Sequence, residues 1–425
     1  MKLVLVSFFL ALVMLNISCS ESYDFSQASL GLGLKDFSCT EAWIEVQIGS
    51  NDKTADIYIK KDDEIIRTVK VAESKTLFYF DDLLPNTAYK FDAVTYEDGK
   101  EVRSNPVTFT TLDTTSHNFT WQTFEFGQHS SSTLYDVAII DENNIWAVGE
   151  IYMNDSYGNP DPKLYNAVHW DGSNWNLKRF EFYIFCPEGT GSGIYPAKSV
   201  FCFPTGKVVI SSGSQLLYLN DSIEIEKECV PVSVNKMWGL TPDNFYIVGH
   251  NGKIAYNDVS SWIRVASGTT TNINDVCGII EDGKSIVYCT VSSMFNPPQD
   301  KKILKITDGN VDSVSWEMDR IVYGCWTNNK NFLFVCGEGV FINKFGSWKQ
   351  ATLPAITTNS IRGDEINDVF AVGSLGTIFH FNGISWQVLS SYTQKENYRV
   401  DFKNNIVAIC GYYNGKGFVD IGKRN

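Results

Sequence analysis

From about residue 30 onward, apolar and polar residues alternate with period two in short runs separated by Gly, Asn, Asp and Ser. That is the pattern of half-buried β-strands, whose side chains point alternately to two faces. Trp43-Ile44-Glu45-Val46-Gln47-Ile48, Ile57-Tyr58-Ile59, Ile65 to Val71, Leu77 to Phe80, Tyr89 to Tyr96 and Val107 to Phe109 belong to a first region, residues 30–112. With their turns they predict about seven short strands and a β-sandwich. The expected fold class is all-β.

After residue 120 the pattern becomes a repeat. A turn followed by a strand-opening tryptophan recurs as Ser173-Asn174-Trp175, Ser260-Ser261-Trp262, Val314-Ser315-Trp316, Gly346-Ser347-Trp348 and Ile384-Ser385-Trp386, with Asp221-Ser222-Ile223 in the place of a sixth. Upstream lie hairpins with polar tips, such as Glu142-Asn143-Asn144-Ile145, Pro242-Asp243-Asn244-Phe245 and Lys403-Asn404-Asn405-Ile406. They end in Val148-Gly149, Val248-Gly249, Cys336-Gly337, Val372-Gly373 and Cys410-Gly411. The tryptophans from Trp262 to Trp386 are spaced by 32 to 54 residues, the period of a four-stranded propeller blade. After Trp386 only three strands remain, and Trp121-Gln122-Thr123-Phe124-Glu125-Phe126 matches the missing fourth. Residues 121–425 therefore predict a β-propeller closed by its first and last strands, which removes sheet edges. The count is seven blades, with six as the alternative. Residues 113–120 are the linker.

Three resemblances bear on this organisation. Leu83-Leu84-Pro85-Asn86-Thr87-Ala88-Tyr89, with the later Ser104-Asn105-Pro106-Val107, resembles the L-x-P-x-T-x-Y region of fibronectin type III domains. The resemblance implies that Tyr89 is a buried corner tyrosine and that residues 30–112 act as a spacer. The stretch Val372 to Trp386 resembles the repeats of photosystem assembly factors and of bacterial surface propellers. At the start, Met1-Lys2 and the apolar run Leu3 to Leu15 read as an export signal too short for a comfortable membrane span. The run closes on Leu15-Asn16-Ile17-Ser18-Cys19, which resembles a bacterial lipobox, although Asn16 stands where the family usually has Leu. The resemblance implies a signal peptide over residues 1–18, lipidation of Cys19, a polar tether over residues 19–29, and a cell-envelope protein anchored to the outer membrane by lipid alone.

A formal charge of -14 argues against a phosphate-backbone partner, so no nucleic acid is expected. Besides Cys19 there are nine cysteines, an odd number, with no C-x-x-C pair or Cys/His cluster to suggest zinc. Cys277/Cys289 and Cys325/Cys336 each flank a hairpin. Because cross-strand disulfides are often strained, buried free thiols are the favoured reading for these four. Cys186 and Cys229, in connectors on one face, form a further candidate pair.

Residues that recur at one place in several repeats build the repeat, so His169 and His380, each six residues before a Trp, read as structural. Arg362-Gly363-Asp364 spells an adhesion tripeptide but falls at a repeat position, and Trp238-Gly239, Cys277-Gly278 and Tyr323-Gly324 are taken as its equivalents. Asp171-Gly172-Ser173-Asn174-Trp175 is similar to a sialidase box without its full spacing, and no matching Arg triad is present. No cofactor or metal motif occurs; Asn154, Asp155, Asn159 and Asp161 lack EF-hand spacing. The long connectors, Glu150 to Tyr165, Glu181 to Pro196, Val291 to Lys302 and Tyr412 to Lys416, are expected on one face. Their aromatics Tyr152, Tyr157, Tyr165, Tyr183, Phe185, Tyr195, Phe295, Tyr412 and Tyr413 are the ligand-binding candidates. The expected function is a monomeric binding or scaffold protein for a protein or carbohydrate, not an enzyme. The alternative is a glycoside hydrolase or lyase with a carboxylate pair in the central pocket, about 5–9 Å apart.

Overall fold

The computed structural model describes residues 30–49, 56–71, 73–97, 99–186, 191–220, 223–259, 261–293, 300–316 and 318–425. The export signal, Cys19, the tether and Phe295 lie outside the described residues. Among the described residues regular structure is strand, apart from two single 3-10 turns at His250–Gly252 and Ser374–Gly376. Among the described residues no helix is long and apolar enough to cross a membrane. The chain divides into two compact units.

The first unit holds two antiparallel sheets. One contains Leu30–Phe37, Ala42–Ile48 and Lys75–Phe80; the other contains Glu64–Lys70, Asp56–Lys61, Ala88–Glu97 and Lys100–Arg103, with Val107–Thr110 pairing to Ala88–Glu97 as well. The alternating residues Ile44, Val46, Ile57, Ile59, Phe91 and Ala93 are buried, so the period-two pattern does mark core faces. Pro106 separates the last two strands, as a residue without a backbone N–H does in a ladder. Tyr89 buries its ring against Phe109, at 6.2 Å between centroids.

The second unit contains seven four-stranded antiparallel sheets, numbered here in chain order. Their first strands are Thr133–Asp141, Ser199–Cys202, Val234–Thr241, Ile273–Glu281, Val322–Asn329, Thr358–Glu365 and Glu396–Lys403. Each first strand lies against that of the next sheet, and the seventh lies against the first. The seventh sheet takes its fourth strand, Phe119–Phe126, from before the first sheet, pairing Phe124 with Val419. Apolar clusters fill the spaces between sheets; Val137, Ile139, Ala408 and Val419 share one, and Met237, Phe245, Val209 and Leu216 another.

The repeated Val-Gly and Cys-Gly pairs have a steric cause. A Cβ on Gly149, Gly249, Gly337, Gly373 or Gly411 would come within 1.8–2.1 Å of a backbone carbonyl oxygen at the start of the first strand of its own sheet or one residue before it. Only glycine allows that approach.

Three details correct the sequence reading, and a fourth agrees with it. Trp175, Trp262 and Trp386 open fourth strands, but the fourth strand of sheet four is Asn310–Val314, ahead of Trp316. The tight turn at Asp308-Gly309, both with positive φ, starts that strand early, and Trp316 instead packs against Trp348 at 4.9 Å. Tyr412 to Lys416 is no long loop: Tyr412 pairs with Gly417 and Tyr413 with Lys416, leaving a two-residue turn. Gly324 occupies the register of Lys236 and Asp275, so the true counterpart of Gly363 in sheet five is Thr327. Finally, Cys186 and Cys229 are disulfide-bonded, whereas Cys277, Cys289, Cys325 and Cys336 are free and buried. Cys289 lies opposite Val276, and Cys336 opposite Gly324, so each hairpin pair is one residue out of register and its thiols point to opposite faces.

Candidate ligand-binding site

The predicted aromatics separate into packed and free groups. Tyr165 lies under the Arg179 guanidinium at 3.7 Å from its ring centroid, and Tyr413 packs on the cluster containing Phe119 and Phe418. The Tyr152 hydroxyl donates to Glu150 Oε2 at 3.1 Å. Tyr183 is held by Gln215, which accepts from its N–H at 2.6 Å and donates to its carbonyl at 2.8 Å. Tyr412 is half-buried in its strand. Tyr157 (88% exposed) and Phe185 (72%) stand free, and Tyr195 is partly so.

Bonds fix the described residues on either side of both free residues. Around Tyr157, Asp155 Oδ1 accepts the backbone N–H groups of Tyr157 and Asn159, each at 2.9 Å, and an isolated bridge joins Asn154 to Pro160. Asp161 pairs with Arg179 at 2.5 Å. These oxygens are thus committed to shaping the loop. Phe185 follows the short hairpin strand Glu181–Tyr183, which pairs with Ser192–Ile194. The neighbouring Cys186 is tied to Cys229 at the end of the fourth strand of sheet two. Asn166 Nδ2 donates to the carbonyls of Phe180 and Tyr195, at 2.8 and 2.9 Å, fixing the base of this connector.

The connector leads to Pro196 and Lys198, which line a cavity of about 580 Å³ with Tyr135, Asn235, Asn274, Tyr398 and Arg399. Local register places these groups. In six of the seven first strands the pairing with the second strand slips by one residue near the start: between Leu134 and Asp136, Val234 and Lys236, Ile273 and Asp275, Val322 and Gly324, Thr358 and Ser360, and Asn397 and Arg399. A bulge sets two residues against one partner and re-aims a side chain. Tyr135, Asn235, Asn274 and Tyr398 thereby reach the cavity, with Asp136, Lys236, Asp275 and Arg399 as the next residue of each strand.

The charges of that next layer are mostly paired. Lys236 Nζ lies 2.6 Å from both oxygens of Asp136. Arg362 grips Asp275 through two bonds of 2.8 Å. Asp136 also accepts from the N–H of Val200, and Asp275 from that of Cys325, so each carboxylate straps its sheet to the next. Burial pushes the Asp275 carboxyl up, but Arg362, with Arg399 and Lys236, outweighs it and the net shift is downward. For Lys236 burial wins over Asp136 and lowers the pKa. Arg362 is fully engaged with Asp275 and its guanidinium is not presented by the Arg-Gly-Asp tripeptide. On the far side of this layer a smaller cavity of about 230 Å³ is lined by Trp238, Trp326, Cys277, Asp401 and Lys403. Burial raises the Asp401 pKa although the N–H groups of Ile139 and Phe402 donate to it. His169 and His380 bond Asn144 and Asp368 within their own sheets, each at 2.8 Å.

The sequence reading missed Tyr135, Lys198, Tyr398 and Arg399. A signal was present: the same register position holds Asp136, Ser199, Lys236, Asp275, Gly324, Ser360 and Arg399, a place where the repeat does not fix the residue.

No family model matches the sequence, and no curated protein matches it. Among solved structures, YCF48 bound to D1 peptide is similar over 72% of this chain and 95% of its own, with a TM-score of 0.52 at 14% identity. The fold is a β-propeller. YCF48 from Cyanidioschyzon merolae covers 71% of this chain and 98% of its own, with a TM-score of 0.49 at 14% identity.

Proposed function

We propose that this chain is an exported, lipid-anchored propeller that binds a protein partner through the face carrying the Tyr157 and Phe185 connectors. The observation that carries the reading is the stapled hairpin: a disulfide and a side-chain amide hold Phe185 in place while leaving it 72% exposed. A large apolar side chain on a tethered backbone in solvent loses less entropy on contact than one on a free loop, as interface aromatics do. The seven sheets are read as seven blades closed between Phe119–Phe126 and Lys416–Arg424, and the first unit as a fibronectin type III-like spacer. Lipidation of Cys19 and an outer-membrane envelope location rest on the lipobox resemblance. A monomer is expected.

That one YCF48 structure holds a D1 peptide is consistent with a protein ligand. The central carboxylates Asp136 and Asp275 are read as structural, because each is neutralised by a buried cation and bonded to the neighbouring sheet. This favours binding over glycoside hydrolysis, which needs a free acid and a free base or nucleophile. The test is affinity capture from envelope extracts with the wild-type chain and with Tyr157→Ala/Phe185→Ala. The double variant is expected to lose the captured partner while its melting temperature stays within about 2 °C, since surface changes cost little. Equal capture by both would move the binding surface elsewhere.

A further inference from the structure

We propose that the cavity mouth beside these connectors binds the carboxylate of an acidic peptide segment, with Arg399 and Lys198 as its cationic contacts; this deepens the protein-binding reading above and rests on it.

Lys236 and Arg362 each have a buried carboxylate. Arg399 has none within ion-pair distance: its Nη1 donates to the carbonyls of Asn359 and Tyr398, at 3.1 and 3.2 Å, and the rest of the guanidinium has no partner among the described residues. Lys198 likewise makes no ion pair among the described residues; its ammonium rests on the Tyr135 ring, 3.5 Å from the centroid. The nearby acid, Glu150, accepts from the Tyr135 and Tyr152 hydroxyls and is held by them. In a chain of formal charge -14, the mouth therefore presents two unpaired cations. A concave, partly desolvated site concentrates such a field on an anion.

The neutral groups narrow the ligand class. Asn235 Nδ2 donates to the Ile273 carbonyl at 2.9 Å, and Asn274 Nδ2 donates to the carbonyls of Ser292 and Val322, at 3.1 and 3.2 Å. Asn274 has its amide N–H groups engaged and Asn235 has one engaged, and both amides keep an acceptor oxygen, suited to peptide N–H groups. Sugar binding calls for an open aromatic face. Tyr135 has Lys198 over its ring and Tyr398 stacked at 6.5 Å with a 30° tilt. A volume of about 580 Å³ is within the usual range of ligand cavities.

The experiment is isothermal titration calorimetry of the full chain in detergent at low ionic strength. The probes are tetraglutamate, amidated tetraglutamine, digalacturonate and inorganic phosphate. Tetraglutamate is expected to bind, tetraglutamine not, and Arg399→Gln and Lys198→Gln to weaken binding about tenfold or more each, the usual scale of a charge-assisted hydrogen bond. Arg399→Lys, which keeps the charge, recovers part of the loss. Should Arg399→Gln melt early, Lys198→Gln at the exposed rim decides alone. The proposal is overturned if tetraglutamate does not bind, if tetraglutamine binds as well, or if neither variant weakens binding. Stronger binding of digalacturonate would assign the mouth to an acidic glycan, and equal binding of phosphate would make it an unspecific anion site; both overturn it. Tyr157→Ala/Phe185→Ala is expected to leave tetraglutamate binding unchanged. Unchanged partner capture by that variant, with tetraglutamate bound as expected, fails the docking reading alone; lost capture with no tetraglutamate binding by the wild type fails this proposal alone.

Discussion

Replacing Lys236 by Met tests whether the buried charge layer holds the propeller sheets together. Lys236 Nζ contacts both Asp136 oxygens at 2.6 Å, and the two side chains are 7% and 2% exposed. Removing the ammonium leaves Asp136 with neutral donors only: the N–H groups of Val137 and Val200 and the Ser199 hydroxyl. Stranding one member of a buried pair typically costs about 3–5 kcal/mol. At about 2–3 °C per kcal/mol for a large unit, the melting temperature should fall by roughly 6–15 °C. Tryptophan fluorescence follows the relevant unit, since ten of the eleven tryptophans lie beyond residue 120. The repeat itself supplies the rescue. Ser360, at the register of Asp136, accepts the Val400 N–H at 3.3 Å and so joins sheets six and seven without a charge. Asp136→Ser combined with Lys236→Met should therefore recover about 2 kcal/mol or more of the loss, because no buried carboxylate remains unpaired. A single variant costing under about 1 kcal/mol, or a double variant no better than the single, would refute the assignment of these charges to inter-sheet strapping.

Acidification should loosen the segment before the closing strand. His117 Nδ1 lies 2.7 Å from His380 Nδ1, and His380 Nε2 contacts Asp368, which Arg424 also holds. Burial, reinforced by the charges of His380 and Arg424, lowers His117 to about 4, and burial outweighs Asp368 to lower His380. Both folded values lie below the unfolded one near 6.5, so the unfolded chain binds more protons in between. The stability contributed is complete above about pH 6.5 and is lost as pH falls towards about 4. Melting scans across this window should show a shallower decline for His117→Ala than for the wild type; parallel curves would exclude the pair as its source. Alkylation of the unfolded chain without reductant should modify Cys39, Cys202, Cys277, Cys289, Cys325, Cys336 and Cys410 and spare Cys186 and Cys229. Labelling of all nine by mass spectrometry would remove the staple under Phe185.

What the sequence determined was the local and repeated part of the molecule. Period-two runs, polar hairpin tips and recurrent glycines depend on near neighbours, so the strands of both units, the all-β class and the seven repeats were legible. So was Phe119–Phe126 as a displaced fourth strand, because its residues match the strand that follows the repeat tryptophans. The tertiary structure decided whatever depends on a one-residue register or on two distant strands. Trp316 passed for a strand-opening residue until the Asp308-Gly309 turn moved its strand. Cys277 and Cys289 looked symmetric about their hairpin but face opposite ways. Tyr165 and Tyr413 share the composition of Tyr157 yet are packed away. The cationic mouth was the least legible feature. Lys198 and Arg399 are about two hundred residues apart in the chain, and the bulge at Tyr398 together with the packing of the sheets brings them to one cavity. A bulge changes which way a side chain points without changing the composition around it, which leaves the alternation almost intact and the site nearly invisible in the sequence.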